Sequence, residues 1–138
     1  MRFLFFLILV SAACAAEKSE PYIYEKPATL TGTVKNDKMF YGPPGYGENP
    51  KVDEKETPER LILDQPIDID PEPGDKDSGP VKAVTELQIV PNEVPDLKPY
   101  LGQRVKVTGK MFQAHTGHHH TKALIALDAI ELEKKPGK

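Results

Sequence analysis

The chain has 138 residues, with 18 Lys and Arg against 21 Asp and Glu and a formal net charge of −3 at pH 7. That length supports one domain with a modest core, and the acidic balance excludes a general nucleic-acid binder, which needs a basic surface. The one cysteine, Cys14, excludes an internal disulfide framework and a multi-thiolate metal site.

Arg2, the unbroken apolar run 3–10 and the small residues 11–16 read as a secretory leader, too short to span a bilayer. Cleavage after Ala16 fits the small-residue pattern. Ala12-Ala13-Cys14 also has the form of a lipoprotein signal, although Ser11 stands where a large aliphatic residue is usual. The protein is therefore expected to be exported, periplasmic or secreted, with membrane attachment only through a lipidated Cys14. Residues 17–26 are polar and read as a flexible lead-in, 27–133 as the domain, and 134–138 as a charged tail.

Segment 28–34 (ATLTGTV) alternates apolar and threonine positions, the period of a half-buried strand, with Gly32 on the inner face as a place for a bulge or sharp coil. Segment 39–58 is rich in Gly, Pro and charge and reads as a long surface loop carrying Phe40, Tyr41 and Tyr46. A second strand is expected over 59–67, an acidic loop over 68–80, and a third strand over 84–90. Asp96 as N-cap, Pro99 in the first turn and Gly102 as stop predict a short helix, with Val94, Leu97 and Leu101 facing the core. A fourth strand, 104–112, repeats the small pattern of the first: Val107-Thr108-Gly109 against Leu30-Thr31-Gly32. A histidine-rich hairpin and a fifth strand, 123–133, complete the domain. A short helix between the third and fourth of five strands is the order of the OB-like Greek-key barrel. The alternatives are an open β-sandwich or an SH3-like barrel.

Several of these segments occur together in one known group. Pro27–Thr33, the Gly42-Pro43-Pro44-x-Tyr46 loop, Glu59 with Leu61 through Ile67, Leu101 through Gly109, and above all His115-Thr116-Gly117-His118-His119-His120-Thr121 resemble a family of small exported bacterial domains of unknown function. The resemblance runs from about Tyr24 to Ile130. It implies an exported OB-like barrel and carries no activity with it. Gln113 departs from it, standing where the resemblance implies another imidazole.

The histidines carry the chemistry. All four lie within six positions, and neutral imidazole suits zinc, copper(II) or nickel. A turn at Thr116-Gly117 would set His115 against His118. In an extended segment His118 and His120 share a side and His119 points away. His115, His118 and His120 are thus the expected metal trio, with His119 the least suited. The same residues also suit a structural role, bonding neighbouring threonines and backbone.

The remaining motifs are weaker. Tyr41 and Tyr46 either offer a stacking surface or pin the loop to the barrel. Lys106 and Lys110, with Lys35, Lys38 and Lys122, would line a ligand or partner face, or only protect strand edges. The acidic run 68–75 fails the calcium-loop pattern, since Pro73 and Gly79 occupy the required Gly and Glu positions. Neither a Ser-His-Asp order nor a phosphate-binding glycine loop is present. The expected function is an exported non-enzymatic binding module whose ligand the sequence does not identify, with zinc or copper(II) at the histidine-rich hairpin as the candidate. The alternatives are an envelope protein-interaction or inhibitor module using the Tyr41–Tyr46 loop, and a metal-dependent hydrolase.

Overall fold

The computed structural model describes residues 19–94 and 96–134. The leader 1–16 with Cys14 and the end of the charged tail lie outside the described residues. Among the described residues, no helix is long and apolar enough to cross a membrane.

The strands are β1 (Tyr22–Ile23), β2 (Pro27–Lys35), β3 (Phe40–Tyr41), β4 (Lys55–Glu56), β5 (Arg60–Asp70), β6 (Val81–Pro91), β7 (Arg104–Gln113) and β8 (Ala123–Leu132). Five of them close a barrel in which β5, β2, β7, β8 and β6 are successive neighbours and β6 returns to β5. All barrel pairings are antiparallel except β6 with β8. This is the OB-like Greek-key order expected from the sequence.

The inner faces follow the two-residue period. Leu30 and Val34 of β2 and Val105, Val107 and Met111 of β7 face the core. They pack with Leu61, Ile69, Leu87, Ile125 and Leu127. Gly32 and Gly109 sit among them because a neighbouring strand crosses too close for a side chain. A Cβ at Gly32 would lie 2.3 Å from the Ile62 carbonyl oxygen, and one at Gly109 2.2 Å from that of Ala126. The pairings of Gly32 run without a register shift, so the bulge expected there is not found, whereas the β7–β8 register does shift at Gly109.

The expected helix is replaced by a single 3-10 turn, Lys98–Tyr100. Asp96 does act locally, accepting the Lys98 N–H at 3.0 Å. Pro99 supplies no N–H, Leu101 is already extended, and Gly102 turns away at φ +74°, so no second turn can form. The plug survives the loss of the helix: Leu97 is buried, with Val94, Tyr100 and Leu101 packed against the core. The lead-in also differs from its flexible reading. Tyr22–Ile23 pairs in parallel with Ile69–Asp70, and Tyr24 is only 2% exposed.

Register decides where the loops meet. Gln88 of β6 stands opposite Arg60, the first residue of β5, and opposite Leu124, next to the first residue of β8. The long loop 36–59 and the histidine loop 114–122 therefore both run into their strands at Gln88. Alternation points Arg60, Gln88 and Leu124 out of the barrel, yet all three are buried. The barrel wall is thus covered there.

Gly32→Ala and Gly109→Ala are each expected to lower stability by about 1–3 kcal/mol, because a methyl must displace a strand carbonyl. Urea unfolding reads this directly. An unchanged midpoint in both variants would contradict the close crossing.

Candidate functional site

The long loop is organised from within. The carboxylate of Asp53, itself buried, accepts the N–H groups of Gly45, Gly47 and Asn49 at 2.8, 2.9 and 2.9 Å. Burial works against ionisation, yet these three bonds hold the Asp53 carboxyl below its ordinary range. The loop's arms pair as the two-residue strands β3 and β4, with Phe40 opposite Glu56 and Tyr41 opposite Lys55.

The histidine loop is held from outside by one side chain. Gln88 Nε2 donates to the His118 carbonyl at 2.9 Å, and the His120 N–H donates to Gln88 Oε1 at 2.8 Å. The Gln88 N–H donates to Thr121 Oγ1 at 2.9 Å, and that hydroxyl donates to the Ala123 carbonyl at 2.7 Å. Gln88 thereby serves residues 118–120 as the edge of a strand would.

This clamp turns His118 and His120 towards one carboxylate. His118 Nδ1 contacts Glu56 Oε1, and His120 Nε2 contacts Glu56 Oε2. Glu54 Oε2 lies 4.0 Å from His118 Nδ1. One donor atom each from Glu54, Glu56 and His118 falls within 4.8 Å of the others. The His120 ring is stacked on Phe40, with centroids 4.7 Å apart and planes at 13°. The side chains of His118 and Glu54 are 57% and 62% exposed, so the cluster opens to solvent.

The expected trio is not brought together. His118 and His120 do share a side, but His115 lies with His119 and Phe112. The His115 and His119 rings meet edge to face at 4.7 Å, and each lies 5.7 Å from the Phe112 ring. His119 points away from the side that His118 and His120 share, as expected, and lies against His115 and Phe112. Its Nδ1 accepts the N–H groups of His115 and Thr116 at 3.0 and 3.3 Å, which ties the loop together. Burial, and then the charges of the neighbouring imidazoles, hold His119 below its ordinary value, in keeping with a neutral acceptor.

The other candidates separate as well. Tyr41 packs over Gly47 inside the loop, whereas Tyr46 is exposed and its phenol lies against Gly117. A Cβ at Gly117 would fall 2.1 Å from the Tyr46 oxygen, so a side chain there would displace the phenol from this position. Lys106 and Lys110 project outward from β7. Lys106 pairs with Glu131 at 3.6 Å, Lys35 lies 4.0 Å from Asp37, and Lys38 lies over the Phe40 ring. Lys35, Lys38 and Lys106 are thus each matched by an individual partner. In the acidic loop, Asp75 caps its own turn and Asp68 and Asp70 pair with Lys82. Gln113, the departure from the imidazole pattern, accepts the Gly79 N–H at 3.1 Å and ties that loop to β7.

Glu54, Glu56 and Gln88 are not marked out by the sequence. The two glutamates carry one weak signal, an i, i+2 spacing that places both on one side of an extended segment. Gln88 carries none, since a polar residue at an outward strand position is ordinary.

Residues 86–131 match a family described as "Domain of unknown function (DUF4431)". The matched segment begins just before Gln88, contains the whole histidine loop and ends within β8. Searches of curated proteins and of solved structures returned no match.

Two outcomes are expected. Gln88→Leu leaves a part-buried carbonyl and N–H without these partners, and should cost about 1–2 kcal/mol in chemical denaturation; a cost near zero would show that the clamp is dispensable. The second concerns pH. The hydrogen bond and charge of Glu56 hold His118 above its ordinary 6.5, while Glu56, despite the opposing effect of burial, is held below its ordinary 4.5 by His120 and His118. The contact therefore contributes in full from pH 4.5 to 6.5. It is lost as pH falls through the depressed Glu56 value or rises through the raised His118 value. Glu56→Gln should move the His118 midpoint, followed by NMR, down towards 6.5; an unmoved midpoint would rule out the contact in solution.

Proposed function

We propose that this protein is an exported, non-enzymatic binding module that takes up a divalent transition-metal ion at the junction of loops 36–59 and 114–122. The observation that supports this is the convergence of Glu54, Glu56 and His118, whose donor atoms lie within 4.8 Å of one another although they come from opposite halves of the chain. Two carboxylates and an imidazole form a borderline-hard donor set suited to zinc or copper(II). The cluster needs little rearrangement: Glu56 is fixed from below by β4 and His120, and His118 is fixed through its carbonyl by Gln88. Export is supported by the leader pattern of residues 1–16.

A metal would replace the proton that His118 shares with Glu56, so binding releases a proton and weakens in acid. Tag-free protein titrated with zinc and copper(II) in a calorimeter should bind near neutral pH and lose affinity by pH 5. His118→Ala should abolish binding, and His115→Ala should leave it intact. No heat above background with either ion, or equal loss in the two variants, would refute this reading.

A second reading, an interaction surface for an envelope protein, is favoured by Met39, Tyr46 and Val52. All three are exposed large hydrophobics on loop 36–59. It expects co-purifying envelope proteins to be reduced by Tyr46→Ala, and an unchanged partner profile would count against it.

A further inference from the structure

His118 and His120 touch the same carboxylate, one oxygen each, but their surroundings differ sharply. The His118 side chain is 57% exposed and lies beside Glu54. The His120 side chain is 8% exposed, with one face covered by Phe40 and its backbone N–H bound to Gln88 Oε1. Among the described residues, the convergent donor group includes His118 and leaves His120 out.

We infer that His120 is a positioning residue and not a metal ligand. Its Nε2–H donates to Glu56 Oε2 and thereby aims the opposite oxygen, Oε1, at the open side shared with His118 and Glu54. A carboxylate on a side chain with three rotatable bonds has no fixed direction of its own. Here one oxygen is held by a ring whose swing is restricted, because Phe40 covers one face and Gln88 holds its main chain. Outer-shell partners that orient ligating carboxylates are a general feature of metal sites, and their loss costs about 10–100-fold in affinity. The arrangement also accounts for Phe40. It stands opposite Glu56 in the β3–β4 pair, so one strand pairing presents both the carboxylate and the ring that steadies its histidine. This inference rests on the metal reading above and assigns unequal roles to two histidines that composition alone treats alike.

Electron paramagnetic resonance of the copper(II)-loaded full-length protein separates the roles. The wild type should show coupling to one imidazole nitrogen, and His118→Ala should lose it. His120→Gln, which keeps a donor to Glu56, should retain one-nitrogen coupling and bind less than about 10-fold more weakly, whereas His120→Ala should weaken binding about 10–100-fold. Two-nitrogen coupling in the wild type that falls to one in His120→Gln would overturn the inference. If the wild type takes up neither copper(II) nor zinc, the metal reading alone fails, and the metal-free protein still tests the positioning role. There, amide hydrogen exchange across Glu54 to Glu56 should be faster in His120→Ala than in His118→Ala. Equal exchange in the two variants would overturn it.

Discussion

A backbone carbonyl and a backbone N–H two residues apart, those of His118 and His120, are both satisfied by the side chain of Gln88. A loop crossing a covered surface must find partners for its polar groups, since each one left unpaired costs about 1–3 kcal/mol. Here the partner is an amide on the barrel itself, so the loop inherits the rigidity of a strand. The parallel β6–β8 pairing sets the histidine loop beside Gln88, and the antiparallel β5–β6 pairing brings the long loop to the same residue. Barrel closure and site assembly are one geometric event.

That convergence changes what the barrel wall offers. In many OB barrels the wall around the second and third strands is an open ligand surface. Here Arg60, Gln88 and Leu124 are buried on that wall. Arg60 spans Asp37 of the long loop and Glu86 of β6, so its buried charge has two carboxylate partners. The accessible chemistry moves outward, to the seam between the loops. The seam has a rigid floor, made by Phe40, His120 and Gln88, and a wet rim, made by His118 and Glu54. A firm lower layer beneath solvent-facing donors is the condition for a preorganised site.

The barrel was legible because alternation survives in β2 and β7, and because the five-strand order with one interruption is distinctive. The interruption itself was misread: Asp96, Pro99 and Gly102 each favour a helix boundary, but boundaries so close together leave no room for a helix. β3 and β4 are two residues each within a Gly- and Pro-rich loop, too short for any period to show. The histidine loop announced itself by composition, but its partner did not, since Glu56 lies 62 residues from His118. Spacing put His115 with His118; the Phe112 ring and the Gln113 carbonyl, both local, hold it with His119 instead. Tyr22-Ile23-Tyr24 is a short strand-prone run, but three such residues between polar neighbours are too few for a period to show.

The contact of Tyr46 with Gly117 has a consequence for how this fold can vary. The two loops meet there, the Tyr46 phenol of one lying over the bare backbone of Gly117 in the other. A histidine loop grafted alone onto a different small barrel would arrive without the Gln88 amide and the Glu56 carboxylate that hold it. The unit that can be transplanted is the interlocked pair together with its glutamine.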